Sequence, residues 1–508
     1  MEENNKKKIH KSILAAVLCT ILVFLGFLGF FSAKWYIREF GDTGFDSVLY
    51  TLFSEMGGTD PQVIANYMKT AALPTAVCLL VAVLVIWNRF SFLEELFAKI
   101  KGGLYPFSNR ASVVVSVVLS VCLLVNAAVT VDLPAYISYV SQQSTIYQDE
   151  YIDPAKADIT FPEEKRNLIY IYLESMENSF MSQENGGALD HNPIPELTAL
   201  AEEGENINFS HTDGIGGFYN MTGASWTIGA MVSQTSGIPL KVPIGVDRNE
   251  YGQDSFLPGA TVLSDILDEN GYYQALMVGS DANFGGRAPY YTQHGLDEVL
   301  DIFDAREVGI VPPGYYVFWG MEDFHLFDFA KQELPRIAAQ EEPFAFTLLT
   351  VDTHRPNGYV CEKCVGLWGE QYENVMSCSS KQVYDFIEWL KQQDFYENTT
   401  VIIAGDHVTM DENYISRAVP EDYTRTVYNC FMNSAVDTAN NKNRQFVAAD
   451  MFPTTLAAMG CTIEGDRLGL GTNLFSEKPT LVEEMGYEAF DAQLAMTSDY
   501  YTRNFFFD

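Results

Sequence analysis

Three apolar runs near the amino terminus, Ser12 to Ala33, Ala71 to Trp87 and Ala111 to Val131, contain no Asp, Glu, Lys or Arg. As helices each is about long enough to cross a hydrocarbon core of ~30 Å, and charge-free runs of that length belong in lipid. The chain therefore divides into a membrane part, residues 1–131, and a part that folds in water. Pro74 falls in the first turn of the second run, where its missing amide proton costs little. Lys6, Lys7, Lys8 and Lys11 precede the first run, and Arg89, Lys99, Lys101 and Arg110 separate the second from the third. Basic flanks stay cytoplasmic, so three crossings make a multi-pass protein with everything after Val131 outside the cell membrane. The length of the first run favours an uncleaved anchor over a signal peptide.

The 508 residues carry 67 acidic and 31 basic side chains, with the acidic excess after the third run. That balance argues against a nucleic-acid partner. From Asp132 to about Lys165 no apolar period is sustained, and the segment reads as a stalk. Beyond it, strand-like runs alternate with helix-like ones. The strands are Leu168 to Leu173, Tyr273 to Val278, Phe344 to Val351 and Thr400 to Ala404; the helices are Ile194 to Glu203, Met321 to Ala339, Ser379 to Gln393 and Ala448 to Met459. Such alternation specifies an α/β domain over residues 166–508 with a mainly parallel sheet, whose strand carboxyl ends share one edge.

Ionisable residues cluster at those ends. Val401-Ile402-Ile403-Ala404-Gly405 runs straight into Asp406 and His407, and Leu168 to Leu173 runs into Glu174. Two carboxylates and an imidazole suit one divalent cation, Mn, Mg or Zn. His354 follows a third strand and can hold a phosphate oxygen or protonate a leaving group. Arg287, in a glycine-containing segment, offers a bidentate phosphate clamp. Between Asn220 and Val232 a polar loop enters an apolar helix-like stretch. A threonine at that junction either caps the helix or, beside a cation and the free amides of the first turn, serves as a nucleophile. Cys361, Cys364 and Cys378 fall within 18 residues. In an oxidising exterior a disulfide from Cys378 to one of the others is the expected use, since a zinc knuckle needs a fourth ligand that the segment lacks.

The strings YLES (172–175), SWTIGAMVSQTSGIPL (225–240), LTVDTHRPNG (349–358), VMSCS (375–379), AGDH (404–407) and DMFPTTLAAMG (450–460), behind three membrane runs, resemble the bacterial phosphoglycerol transferase I and lipoteichoic acid synthase family. That family is a membrane-anchored, sulfatase-like branch of the alkaline phosphatase superfamily. The resemblance covers about Asn167 to Ser476. It implies a catalytic domain of alkaline phosphatase/sulfatase fold in which Glu174, Asp406, His407 and a threonine bind the cation, Mn foremost. Alignment on the Trp-Thr pair selects Thr227, with Thr222 as the alternative nucleophile. His354 and Arg287 fall in the phosphate pocket. The implied reaction takes glycerophosphate from phosphatidylglycerol, through a covalent phosphothreonine, to a glycan or polyglycerophosphate acceptor at the bilayer, and releases diacylglycerol. A membrane-anchored phosphodiesterase, a phosphoethanolamine transferase and a non-catalytic envelope-binding protein are the competing expectations. Sulfate-ester hydrolysis is disfavoured because no Cys- or Ser-x-Pro-x-Arg motif is present.

Overall fold

The computed structural model describes residues 2–40, 48–49, 61–86, 109–241 and 256–506. Two compact units divide the chain, one made of residues 1–45 and 60–136 and the other of residues 46–59 and 137–508.

The first unit contains α1 (Glu2–Phe40), α2 (Leu73–Ile86) and α3 (Asn109–Thr130). A short helix, Pro61–Tyr67, and one π-helical turn, Met68–Ala72, lead into α2. Leu14–Phe40, Gln62–Ile86 and Val113–Thr130 are each long and apolar enough to cross a membrane. Leu18, Leu80 and Val129 are more than half exposed, a surface that suits lipid better than water. At Gly26 a Cβ would lie 3.1 Å from Ser120 Cα, so the missing side chain is what lets α1 close on α3. Trp87, Arg89, Lys99 and Lys101 lie outside the described residues.

The second unit is built on six strands: β1 (Asn167–Leu173), β2 (Tyr273–Val278), β3 (Glu298–Leu300), β4 (Phe344–Leu349), β5 (Thr399–Gly405) and β6 (Asn429–Met432). Their order is β3-β2-β4-β1-β5-β6, parallel throughout except for the antiparallel edge strand β6. Every residue of β1 and β5 is buried, as expected for strands covered on both faces. One face packs against α5 (Thr227–Ser236), α6 (Arg287–Gln293) and α9 (Met451–Ala458) through Met231, Val232, Tyr290 and Leu456. The other packs against α4 (Pro195–Glu202), α7 (Asp323–Ala338) and α8 (Gln371–Leu390) through Leu197, Leu326 and Phe386. Register sets up the chemistry. Tyr172 pairs with both Leu349 and Ala404, and Leu173 with Gly405. The residues that follow these strands therefore leave the sheet side by side.

Besides the short strands β3 and β6, which the sequence reading did not include, two features differ from it. α8 begins at Gln371 rather than Ser379, because Tyr372, Glu373 and Met376 turn into the core from a stretch whose mixed polarity hides the helical period. The segment expected to be a stalk is folded from residue 137 onward. Tyr147 is buried, with its ring 5.4 Å from that of Tyr501 and 6.0 Å from Phe505, and Ile159–Thr160 pairs with Thr462–Ile463. Isolated aromatics do this packing, so no apolar period announces it. Replacing Tyr147 by Ala should cost about 3 kcal/mol and lower the thermal midpoint of the detergent-solubilised chain. An unchanged midpoint would mean that the segment hangs free.

Candidate active site

Glu174, the first residue beyond β1, is buried; so are Asp406 and His407, the first two beyond β5. One donor atom from each lies within 4.8 Å of the other two. Gly405 makes this exit possible, since a Cβ there would lie 2.1 Å from the Met176 carbonyl oxygen. His407 Nδ1 donates to the Val408 carbonyl at 2.8 Å, which leaves the Nε2 lone pair pointing into the cluster. It stands 3.4 Å from Asp406 Oδ2 and 3.8 Å from Glu174 Oε1. Neither His407 Nε2 nor Asp406 Oδ2 meets a hydrogen-bonding atom of the protein. A buried polar atom left that way costs about 1–3 kcal/mol, and two carboxylates at this separation repel by about 4 kcal/mol at an effective dielectric of about 20. A divalent cation among the three side chains removes both costs, so these residues fit one.

The electrostatics follow. Burial and then the charge of Glu174 push Asp406 up to about 8. Burial also works against ionised Glu174, but His354, His407 and the Ser175 hydroxyl outweigh it and hold Glu174 below the usual carboxylate range. Burial opposes the His407 imidazolium too, yet Asp406 and Glu174 together raise it.

The two candidate threonines part company. Thr227 opens α5, and its hydroxyl donates to Glu174 Oε2 at 3.2 Å, facing the donor cluster across the first turn of the helix. Thr222 is held by Asp491, which accepts its amide at 2.6 Å and its hydroxyl at 3.0 Å. That contact spans 269 residues and commits Thr222 to the scaffold.

His354 follows β4 and is close enough to Glu174 and His407 to interact electrostatically with both. Burial lowers its pKa against the pull of Glu174. Its Nδ1 is 3.1 Å from the Trp319 indole N–H and 2.8 Å from the Arg355 carbonyl. Nδ1 accepts from Trp319 when the proton sits on Nε2 and donates to Arg355 when Nδ1 is protonated, so the ring has a partner in either state. Arg287 opens α6, at the end of the segment that follows β2. Its Nε donates to the Phe284 carbonyl at 3.0 Å, and Nη2 donates to Ser280 Oγ and the Asp281 carbonyl, both at 2.9 Å. Much of its fork is thus occupied in closing its own loop. Phe284 packs at a tilt against Trp319, and Trp319 edge-on against His354, at centroid distances of 5.0 and 4.8 Å, which ties the segment before α6 to the site.

A sulfatase family profile matches residues 166–461, more than half of the chain. The chain belongs to the sulfatase family. Phosphoglycerol transferase I of Xanthomonas euvesicatoria pv. vesicatoria is 30% identical over 256 residues, which cover 48% of this chain and 34% of that protein. Phosphoglycerol transferase I of Escherichia fergusonii is 31% identical over 267 residues, covering 51% and 33%. The chain thus matches about a third of the length of these curated relatives. A protein in the alkaline phosphatase superfamily from Vibrio parahaemolyticus shares the fold, with a TM-score of 0.51 at 17% identity over 73% of this chain and 100% of that one.

Around the donors this sulfatase-family domain has a supporting layer that sequence reasoning missed. Ser175 adopts φ +56°, which turns its amide onto Asp406 Oδ1 at 2.8 Å and its hydroxyl onto Glu174 Oε1 at 2.7 Å. Gln234, from α5, donates to the Gly405 and Asp406 carbonyls, each at 3.2 Å, and Thr353 Oγ1 donates to the Glu174 carbonyl at 2.6 Å. Only the adjacency of Ser175 to Glu174 was visible in sequence.

Burial and Glu174 push Asp406 up to about 8 in the cation-free site, His407 is raised as well, and a cation has to displace protons from both. Mn2+ affinity should therefore rise at least about tenfold per pH unit from roughly pH 6 and level off near pH 8. The same raised pKa stabilises the cation-free fold at low pH, a contribution that is lost as pH rises through about 8. Calorimetric titration of the chain with Mn2+ across that range checks the slope, and a flat profile would contradict the assignment.

Proposed function

We propose that the chain transfers glycerophosphate from phosphatidylglycerol to a hydroxyl acceptor of the cell envelope, a glycan or a growing polyglycerophosphate, through a phosphoester on Thr227. The observation that carries this reading is the Thr227 hydroxyl, 3.2 Å from Glu174 Oε2 and beside two buried donors, Asp406 Oδ2 and His407 Nε2, that form no hydrogen bond within the protein. Relatives named phosphoglycerol transferase I support the donor class. The absence of a Cys- or Ser-x-Pro-x-Arg motif favours phosphoryl transfer over sulfate-ester cleavage.

Glu174, Asp406, His407 and Thr227 would hold one cation, and three oxygens with one imidazole suit Mn2+ best, with Mg2+ or Zn2+ acceptable. When bound, such an ion polarises a phosphoryl oxygen and eases deprotonation of a neighbouring hydroxyl. Thr227 Oγ1 attacks phosphorus; the Oγ1–P bond forms as the P–O bond to diacylglycerol breaks. Glu174 Oε2 stands ready for the threonine proton. His354 gives a proton to the departing glyceride oxygen. In the second step His354 takes the proton of the acceptor hydroxyl, whose oxygen forms the new bond to phosphorus as the Oγ1–P bond breaks, and Glu174 returns its proton to Thr227 Oγ1. Negative charge on the phosphoryl oxygens meets the free amides at the start of α5, with Arg287 adding positive charge from its loop. The three apolar helices would keep the domain outside the cell at the bilayer that holds its donor, where tethering raises effective concentration.

Thr227→Ala should lower diacylglycerol release from a fluorescent phosphatidylglycerol by on the order of a thousandfold, while Thr222→Ala should stay within about tenfold of the parent. Mass analysis of protein quenched during turnover should find glycerophosphate on the peptide containing Thr227. Unchanged release by Thr227→Ala would overturn the assignment.

A further inference from the structure

A second donor cluster joins the loop that follows His354 to α8. Cys361 Sγ is 3.7 Å from Cys364 Sγ and 3.8 Å from Cys378 Sγ, and the three sulfurs all lie within 4.8 Å of one another. All three are free thiols, and Cys361 and Cys378 are buried. A tetrahedral ion with metal–sulfur bonds of about 2.3 Å spaces its thiolates about 3.8 Å apart. Two edges of the sulfur triangle match that spacing.

The surroundings favour thiolates over a disulfide. Cys361 and Cys364 close a turn in which the Cys364 amide donates to the Cys361 carbonyl at 3.1 Å. Gln382 Nε2, one turn beyond Cys378 on α8, donates to Cys378 Sγ at 3.2 Å. N–H donors aimed at sulfur stabilise the negative charge that a metal requires. Three cysteines also pair badly, because one disulfide leaves a third thiol pressed against it. A fourth position has an acceptor nearby, since Gln382 Oε1 is buried without a hydrogen-bond partner and can hold a metal-bound water.

We propose that Cys361, Cys364 and Cys378 bind one Zn2+ as thiolates, with water as the fourth ligand, and that this ion fastens the loop carrying His354 to α8. The ion is separate from the cation at Glu174, Asp406 and His407, and nothing in the assignment depends on the transfer reaction. Binding releases the thiol protons to solvent and leaves the oxidation state of sulfur unchanged.

The test uses the full chain in detergent, purified with Zn2+ supplied. Elemental analysis should show that Cys361→Ser and Cys378→Ser each lose one equivalent of zinc, whereas His407→Gln keeps that equivalent. Cobalt exchanged into the unaltered chain should give sulfur-to-cobalt charge-transfer absorption, a readout that needs no variant to fold. Zinc content indifferent to the cysteine substitutions, absent charge-transfer absorption, or two of the three thiols resisting alkylation until a reductant is added would overturn the proposal. The last of these would assign a disulfide instead.

Discussion

Two carboxylates and an imidazole lie buried together, one donor atom of each within 4.8 Å of the other two. That concentration of charge is unfavourable by several kcal/mol unless a cation is present. The surrounding structure holds it nonetheless. Gly405 lets the chain turn after β5, Ser175 bends back to bond both carboxylates, and Gln234 pins the backbone of Gly405 and Asp406 from α5. A deeper ion pair, Arg425 with Glu177, also takes the Thr409 amide at 2.7 Å and fixes the loop beyond His407. Together these contacts hold a site whose own electrostatics would otherwise spread it apart, which is the form preorganisation takes at a metal centre.

The sheet converts sequence order into proximity. Parallel pairing of β1 with β4 and β5 places residues from positions 174, 354 and 406 at one edge, although more than 200 residues separate the first from the last. The helix that presents Thr227 packs on one face of that sheet through Met231 and Val232.

Much of this was legible because the strands are apolar and end abruptly. Glu174 and Asp406-His407 stand directly after buried β-branched and aromatic runs, so strand, edge and donor are visible within a few residues. Resemblance to the phosphoglycerol transferase family added the expectation of a threonine beside those donors. The family resemblance favoured Thr227 with Thr222 as the alternative, but the contact that holds Thr222 was not legible, because sequence places Asp491 far from it and only the fold brings the two together. β6 escaped notice because it is four residues long, too short for a period to show. The folded segment around Tyr147 escaped for a related reason, since scattered aromatics carry burial without a repeat. Arg287 was identified as a phosphate clamp, yet its loop carbonyls occupy Nε and Nη2, a competition that local sequence cannot reveal.

Anomalous diffraction from crystals of the chain grown with Mn2+ tests the central claim most directly. The account predicts a peak bounded by Glu174, Asp406 Oδ2 and His407 Nε2, within coordination distance of Thr227 Oγ1. Manganese bound elsewhere, with His407 Nε2 and Asp406 Oδ2 still bare, would contradict it.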